Sequence, residues 1–300
     1  MEYHYPVLAK ECVEALNISE SRDGIYIDAT FGGGGHSRLI LEELGEHGQL
    51  HGFDQDQDAV ANALDDSRFT LNQHNFRYVK RFMRLHGIKE VDGIMADLGV
   101  SSHQLNEGSR GFSFRFNAAL DMRMNQSDDK TAADVLNEYA EEDLQRVLGM
   151  YGEVRNAKSL AQAIAQAREE RKLKTIGDFL NVLGPMVRGQ RNRYLAQVFQ
   201  ALRIEVNDEM GALEDFFKSS YEILKPGGRF VILSYHSLED RITKNFFKTG
   251  NIDGNVEKDF FGNIARPYKV ITKKPVLPTQ EEIRQNSRAR SAKLRIAQKI

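Results

Sequence analysis

The chain has a single cysteine, Cys12, in 300 residues. That excludes an internal disulfide and any zinc cluster built on cysteines. Histidine does not fill the gap: of eight, only His47 and His51 stand four apart, and Gly48 between them, with the strand-like QLHGF, argues against a helical metal pair. No metal site is expected. No window approaches the ~18 consecutive apolar residues of a membrane helix, and the opening MEYHYPVLAKEC is too polar for a secretory signal. A cytoplasmic protein without a membrane partner is the expectation. Net charge is also scarce, formally −2, and internal repeats and low-complexity tracts are absent. What remains is ordinary globular composition, 41% hydrophobic and 28% charged, with length enough for about two domains.

The most informative stretch is Gly24 to Asp56, GIYIDATFGGGGHSRLILEELGEHGQLHGFDQD. An apolar strand through Ile25 and Ile27 leads to Asp28, then a loop of four glycines, Gly32, Gly33, Gly34 and Gly35, then a helix, then a second strand ending in acid. Glycines let the backbone turn sharply and approach a ligand, and Asp54 follows about 20 residues on, where ribose hydroxyls would lie. The grammar is that of a cofactor site in a parallel α/β sheet.

Two absences narrow the cofactor. A dinucleotide fingerprint needs a third glycine three residues after the second, but Gly32 and Gly34 are followed by Ser37, and Gly33 and Gly35 by Arg38. A phosphate-binding P-loop ends in Gly-Lys-Ser/Thr, and this loop ends in His36-Ser37. S-adenosylmethionine has no phosphate to cradle and suits a tight loop with a ribose acid best. On these residues alone, a dinucleotide and a purely structural glycine turn stay open.

The α/β pattern then stops and resumes. Helix is expected over 59–64, a third strand over FTLNQHNF (69–76) with Phe76 at its end, and a fourth over VDGIMADLGV (91–100). Ligands of parallel sheets bind beyond the carboxyl ends of strands, where Asp28, Asp54, Phe76 and Asp97 fall. Phe76 there faces an adenine or fills the core. From about Leu105, helical spacing takes over in Val135, Leu136, Leu144, Val147 and Leu148, then in Ile176, Phe179 and Leu183, then in Leu195, Val198, Phe199 and Leu202. Residues 105–207 read as an all-helical insertion between a discontinuous α/β domain, 1–104 and 208–300. A helix through Met210, Leu213, Phe217 and Leu224, the turn Lys225-Pro226-Gly227-Gly228 and the strand RFVILSYHS resume the sheet. The segment 249–266 reads as a mobile loop, and YKVITKK with AKLRIAQK as a closing hairpin.

Charge is unevenly spread. Residues 265–300 hold ten Lys/Arg against two Glu, including Arg288, Arg290, Lys293, Arg295 and Lys299, and residues 168–193 hold seven against three acids. Clustered cations suit a polyanion such as nucleic acid, and equally a solvated surface.

The chain resembles the bacterial small-subunit ribosomal RNA cytosine-N4 methyltransferase family, methyltransferase H, over nearly its whole length. The resemblance rests on His4-Tyr5-Pro6-Val7, on Asp28-Ala29-Thr30-Phe31-Gly32-Gly33-Gly34-Gly35-His36-Ser37 and on Asp97-Leu98-Gly99-Val100-Ser101-Ser102. Further motifs are Gly111-Phe112-Ser113-Phe114, Asp121-Met122-Arg123-Met124, Phe199-Gln200-Ala201-Leu202-Arg203-Ile204, Ser234-Tyr235-His236-Ser237-Leu238-Glu239-Asp240-Arg241 and Arg288-Ala289-Arg290-Ser291. Tyr235 stands where the family usually has Phe, and Ser287 where Pro is common. The resemblance implies a Rossmann-like S-adenosylmethionine-dependent methyltransferase with an inserted helical domain, acting on 16S rRNA in a nearly or fully assembled small subunit. It implies cofactor contacts at Gly34, Gly35, His36, Asp54, Phe76, Asp97 and Gln104, and RNA contacts at Ser101 and Ser102. Without it, Gln104 reads as a surface loop residue. Oligomeric state is not legible.

Chemistry narrows the target independently. Methylation at carbon 5 of cytosine needs a cysteine nucleophile, and Cys12, in the helical ECVEAL, has no activating partner. An exocyclic amine needs only in-line approach and an acceptor for its N–H groups. Asp97, with carbonyls near Gly99 and Val100, is placed to receive that amine or to hold the methionine end of the cofactor. DNA amino-methyltransferases often carry a Pro-Pro-aromatic loop at this place, which is absent here. His236 and Asp240 are candidates for the base or its sugar, His236 being the second catalytic candidate, and Arg241, Arg288 and Arg290 for phosphates. The alternative for this segment is a helix start with Ser237 as N-cap.

Overall fold

The structure, a computed structural model, describes residues 6–256 and 266–300. His4 and Tyr5 of the first motif, and residues 257–265 of the expected mobile loop, lie outside the described residues. The chain divides into two compact units, Met1–Gly99 with Gly211–Ile300, and Val100–Met210. It runs through α1 (Ala9–Ala15), β1 (Ile25–Asp28), α2 (Gly35–Glu43), β2 (Gln49–Phe53), α3 (Gln57–Val60), β3 (Phe69–Asn72), α4 (Val79–Leu85) and β4 (Val91–Asp97). Then come α5 (Ser102–Asn106), α6 (Ala132–Glu138), α7 (Glu141–Met150), α8 (Ala157–Glu170), α9 (Ile176–Leu183) and α10 (Arg191–Val206). The return is α11 (Glu209–Ile223), β5 (Leu224–Ser234), α12 (Ser237–Thr249), β6 (Tyr268–Val270), α13 (Gln280–Gln285) and β7 (Lys293–Lys299).

Among the described residues the strands form one seven-stranded sheet in the order β3-β2-β1-β4-β5-β7-β6. The first five are parallel, and β7 runs antiparallel to both β5 and β6. Successive side chains on a strand face opposite ways, and here they feed two cores. Ile27, Ile94, Phe230 and Ile232 join one cluster with Val79 and Met83 of α4, Phe216 and Phe217 of α11, and Phe246 and Phe247 of α12. Tyr26, Met95, Val231 and Leu233 join the other with Cys12 and Val13 of α1 and Ile40 and Leu41 of α2. Both faces are therefore covered, as a parallel sheet requires. Strand order reverses at β1, with β2 on one side and β4 on the other, which makes the carboxyl ends of β1 and β4 the natural ligand crevice.

Local chemistry sets several boundaries differently from the sequence expectations. The third strand ends at Asn72, because Asn75 accepts a bond from Arg77 N and caps a 3-10 turn over Phe76–Tyr78; Phe76 opens that turn instead of ending a strand. The helix expected at 59–64 is the short α3, started earlier by Asp56, whose side chain accepts from Asp58 N. Leu224 begins β5 instead of closing the helix before it, and Lys225-Pro226-Gly227-Gly228 is a bulge inside that strand. The register jumps there from Val91↔Leu224 to Gly93↔Arg229, with Gly227 at φ +83°. Proline is tolerated in a strand at such a bulge. The closing pair of strands forms, but α13 and a 3-10 turn over Ser287–Ser291 intervene, so β6 and β7 are no tight hairpin.

The second unit has its own core, in which Leu144, Val147 and Leu148 of α7 meet Leu160 and Ile164 of α8, Phe179 of α9 and Val198, Phe199 and Leu202 of α10. Capping boxes start α5, α6 and α9 at Ser101, Thr131 and Thr175. The unit runs wider than the apolar periodicity of 105–207. Its first helix opens at a polar cap, and at its far end Arg203 Nε reaches Glu209 at 2.7 Å; neither feature is apolar.

Phe230 is fully buried and its ring lies within 5.5 to 6.2 Å of those of Phe216, Phe217, Phe247 and Tyr268. Phe230→Ala is expected to cost about 3–5 kcal/mol, read as a lowered urea midpoint.

Candidate active site and cofactor cradle

Three acids stand at the carboxyl ends of three neighbouring strands. Asp28 ends β1, is buried, and accepts bonds from Thr30 N at 3.2 Å and Ser37 Oγ at 2.6 Å. Burial pushes its carboxyl up, against the pull of these two bonds. Together they tie the start of α2 to the strand end and set the path of the loop between.

That loop is held tightly. Gly34 has φ +73° and caps α2 without a side chain; a Cβ there would lie 2.9 Å from the Phe31 ring. Only glycine takes both the left-handed backbone and the contact. Just past β2, Asp54 accepts from Gly32 N at 2.7 Å through Oδ2 and from Asp56 N at 2.9 Å through Oδ1. Burial raises its carboxyl to about 6, the two backbone bonds opposing. Glycine loop and acid are thus one cradle. Each carboxylate oxygen keeps a second lone pair, which fits a ribose diol.

Asp97 ends β4. Its amide donates to Thr30 Oγ1 at 2.6 Å, its carboxyl takes the Tyr235 hydroxyl, and Oδ2 lies 3.9 Å from His36 Nδ1. Oδ1 is buried and has no hydrogen-bond partner among the described residues. Burial is the main reason its carboxyl rises to about 6; His36 and Tyr235 lower it, while Asp28 and Glu239 raise it. His36 is buried, which lowers its pKa below the usual imidazole value. Its Nε2 lies 3.1 Å from the Val7 carbonyl. A carbonyl only accepts, so Nε2 carries a proton, and Nδ1 is the ring nitrogen that faces Asp97. A buried carboxylate oxygen left without a partner in the protein can accept from a ligand N–H.

The other expected residues divide. Phe76 is half-buried with its ring centroid 4.9 Å from that of Phe216, so it packs on the core whatever else it touches. His236, not Ser237, is the N-cap of α12, in a capping box with Glu239. Its Nε2 is 3.0 Å from Glu239 Oε1, within ion-pair range but not angled for a hydrogen bond. Asp240, expected at RNA, accepts from Arg295 Nε at 2.6 Å and Lys293 Nζ at 3.3 Å, strapping α12 to β7. Arg241 is exposed, without a hydrogen bond or ion pair among the described residues, and Arg290 is exposed. Arg288 is half-buried in the 3-10 turn. Much of the C-terminal basic run is committed internally: besides Lys293 and Arg295, Lys299 donates to the carbonyls of Tyr221 and Leu224.

In the second unit, Ser101 Oγ accepts from Gln104 N at 3.1 Å and Gln104 Oε1 accepts from Ser101 N at 3.0 Å, with Ser102 the first residue of α5. Gln104 is buried, unlike the loop surface residue its sequence context suggested. Thr30, Ser37, Tyr235 and Glu239 appear in the sequence motifs but were assigned no role at the site. Each is the polar neighbour of a residue that was given one, and only the fold shows which side chain turns inward.

The sheet order, and a glycine cradle closed by an acid and lacking a phosphate-binding lysine, are those of a Rossmann-like, S-adenosylmethionine-dependent methyltransferase. Its residues 1–300 match the model of the MraW methylase family. The "Ribosomal RNA small subunit methyltransferase H" of Flavobacterium johnsoniae is 57% identical, over 100% of this chain and 99% of the relative. The proteins of the same name from Parabacteroides distasonis and Bacteroides thetaiotaomicron are 54% and 53% identical, over 99% and 100% of this chain and 98% of each relative. The chain belongs to the MraW methylase family.

Burial sets a testable pH dependence. Asp54 and Asp97 are raised from 3.8 to about 6, so the folded chain binds more protons than the unfolded one between these values. Their contribution to stability is complete below about pH 4 and is lost as pH rises through about 6. Asp97→Asn is expected to raise the urea midpoint of the unliganded protein at pH 7 by an amount worth about 1–3 kcal/mol, and to leave it nearly unchanged at pH 4.

Proposed function

We propose that this chain transfers a methyl group from S-adenosylmethionine to the N4 amine of a specific cytosine in the decoding centre of small-subunit ribosomal RNA. Transfer is direct and in-line, without a covalent enzyme intermediate. The observation that carries the reading is the buried, unpartnered Asp97 Oδ1 at the end of β4, beside the glycine cradle. An acceptor there suits an amine, which must be oriented and relieved of a proton. The structure of α1 adds to this. Cys12 is fully buried and its thiol is pushed well up, first by burial and then by Asp97, so it cannot supply the thiolate that carbon-5 methylation requires.

The residues divide the work as follows. Gly33, Gly34, Gly35 and His36 shape the loop against the cofactor, Asp54 accepts from its ribose, and Phe76 and Gln104 complete its binding. When bound, S-adenosylmethionine supplies an electrophilic methyl on a sulfonium. Asp97 accepts one amine N–H, which holds the nitrogen lone pair in line and removes the proton as the N–C bond forms and the S–C bond breaks. Tyr235, by donating to Asp97, keeps that carboxyl ionised at neutral pH. His236 borders the site from the start of α12, and Ser101, Ser102, Arg241, Arg288 and Arg290 hold RNA. The names of the relatives support ribosomal RNA of the small subunit as substrate; the cytosine and its N4 rest on the motif resemblance and on Asp97. A DNA amino-methyltransferase is the rival in chemistry.

Labelled S-adenosylmethionine is incubated with assembled small subunits, free small-subunit ribosomal RNA or DNA, and the labelled nucleoside is identified. N4-methylcytidine in RNA is expected, and label in DNA alone overturns the proposal. Asp97→Asn is expected to lower turnover at least a hundredfold, in the range of lost general acid–base catalysis. Tyr235→Phe is expected to move the acidic limb of the kcat/KM–pH profile, which reports the free enzyme and lies near pH 6 in the parent, to higher pH. An unmoved limb removes Tyr235 from the mechanism.

A further inference from the structure

The segment from Arg77 to Arg84, RYVKRFMR, lies outside every basic run noted above and carries four cations at helical spacing: Arg77, Lys80, Arg81 and Arg84. Residues three and four apart share a helix face. Val79 and Met83, both fully buried, turn the opposite face of α4 into the core. The cations therefore stand together on the outside.

They are not equivalent. Arg77 is paired with Asp215 of α11 through Nη2 at 2.6 Å, and Lys80 with Glu222 of the same helix. These two pairs tie the start of α4 and the turn before it to α11. Arg81 and Arg84 are exposed and have neither hydrogen bond nor ion pair among the described residues. Between the helices is a depression of about 450 Å³ whose wall holds all four cations, with Tyr78 and Leu85, and no acid. Tyr78 and Leu85 are 46% and 70% exposed. Phosphates beside unstacked bases call for this combination: cations for the backbone and an aromatic face for a base.

We infer that the outer face of α4, centred on Arg81 and Arg84 with Tyr78, is a second RNA-docking surface that grips phosphates of the ribosomal RNA away from the nucleotide being methylated. The inference rests on the proposed RNA-methylating function and extends it. The 3-10 turn that presents Phe76 leads without a break into α4, so a single stretch of chain carries both the cofactor-contact candidate and the docking face. Neither arginine touches the cradle, so their part is affinity and placement, not chemistry.

The test uses the full-length protein with purified, unmethylated small ribosomal subunits, measuring affinity across 50 to 200 mM salt. The parent, Arg81→Ala/Arg84→Ala and Arg81→Lys/Arg84→Lys are compared, with cofactor affinity and thermal midpoint as controls. For the alanine pair, the slope of log affinity against log salt is expected to become shallower by about 1 to 2, since each lost phosphate contact removes about 0.9. Subunit affinity should fall roughly tenfold or more at 50 mM salt, with cofactor affinity and thermal midpoint unchanged. The lysine pair should recover most of both, because a phosphate accepts any point charge. Unchanged affinity and slope overturn the inference while leaving the methyltransferase reading intact. A loss of affinity with an unchanged slope also overturns it, by pointing to a contact with ribosomal protein. Failure of the parent itself to bind or methylate subunits removes both.

Discussion

Three carboxylates, Asp28, Asp54 and Asp97, are held at the ends of adjoining strands where burial raises all three. A buried acid must be hydrogen-bonded or it destabilises the fold, and each is answered differently. Asp28 uses both oxygens on Thr30 and Ser37 and so sets the loop. Asp54 takes the amides of Gly32 and Asp56 and so closes the loop onto β2. Asp97 is answered on one side only. The first two acids are answered by the loop on both oxygens, and the third keeps one oxygen without a hydrogen-bond partner among the described residues. On the proposed mechanism, the stability this costs at neutral pH keeps an acceptor ready, the usual relation between strain and function.

The sequence displayed the strand–loop–strand grammar because glycines and strand-end acids are local signals, read within a single turn. The helical insertion was legible for a related reason: Leu144, Val147 and Leu148, or Phe179 and Leu183, repeat at the period of a helix face buried in one core. Boundaries were less legible, since they depend on which polar side chain captures a backbone amide. Asn75 ends a strand early in this way, and Asp56 starts a helix early. Gln104 looked like a loop residue because nothing local announces that a capping box will be buried.

Charge was the least legible property. Counting cations along the C-terminal stretch overstated its free charge, because Lys293, Arg295 and Lys299 are tied to Asp240 and to main-chain carbonyls across the sheet. Counting missed the stretch from Arg77 to Arg84, where two of four cations pair with acids of α11 and two have no ion pair among the described residues. Whether a lysine or arginine is available to a partner is settled by tertiary pairing, and a one-dimensional tally cannot contain it.

The interruption of the sheet carries a consequence for biosynthesis. β4 ends at Asp97 and its neighbour β5 begins at Leu224, so the whole helical unit is translated before the central pair can zip. During that interval β4 has β1 on one side and an open edge on the other, and open edges are templates for wrong pairing. Long-range pairing of this kind is slow. The helical unit, with a core of its own, can fold while the edge waits. The step that joins β4 to β5 is therefore the one most exposed to aggregation, and the one where a chaperone would have most to protect.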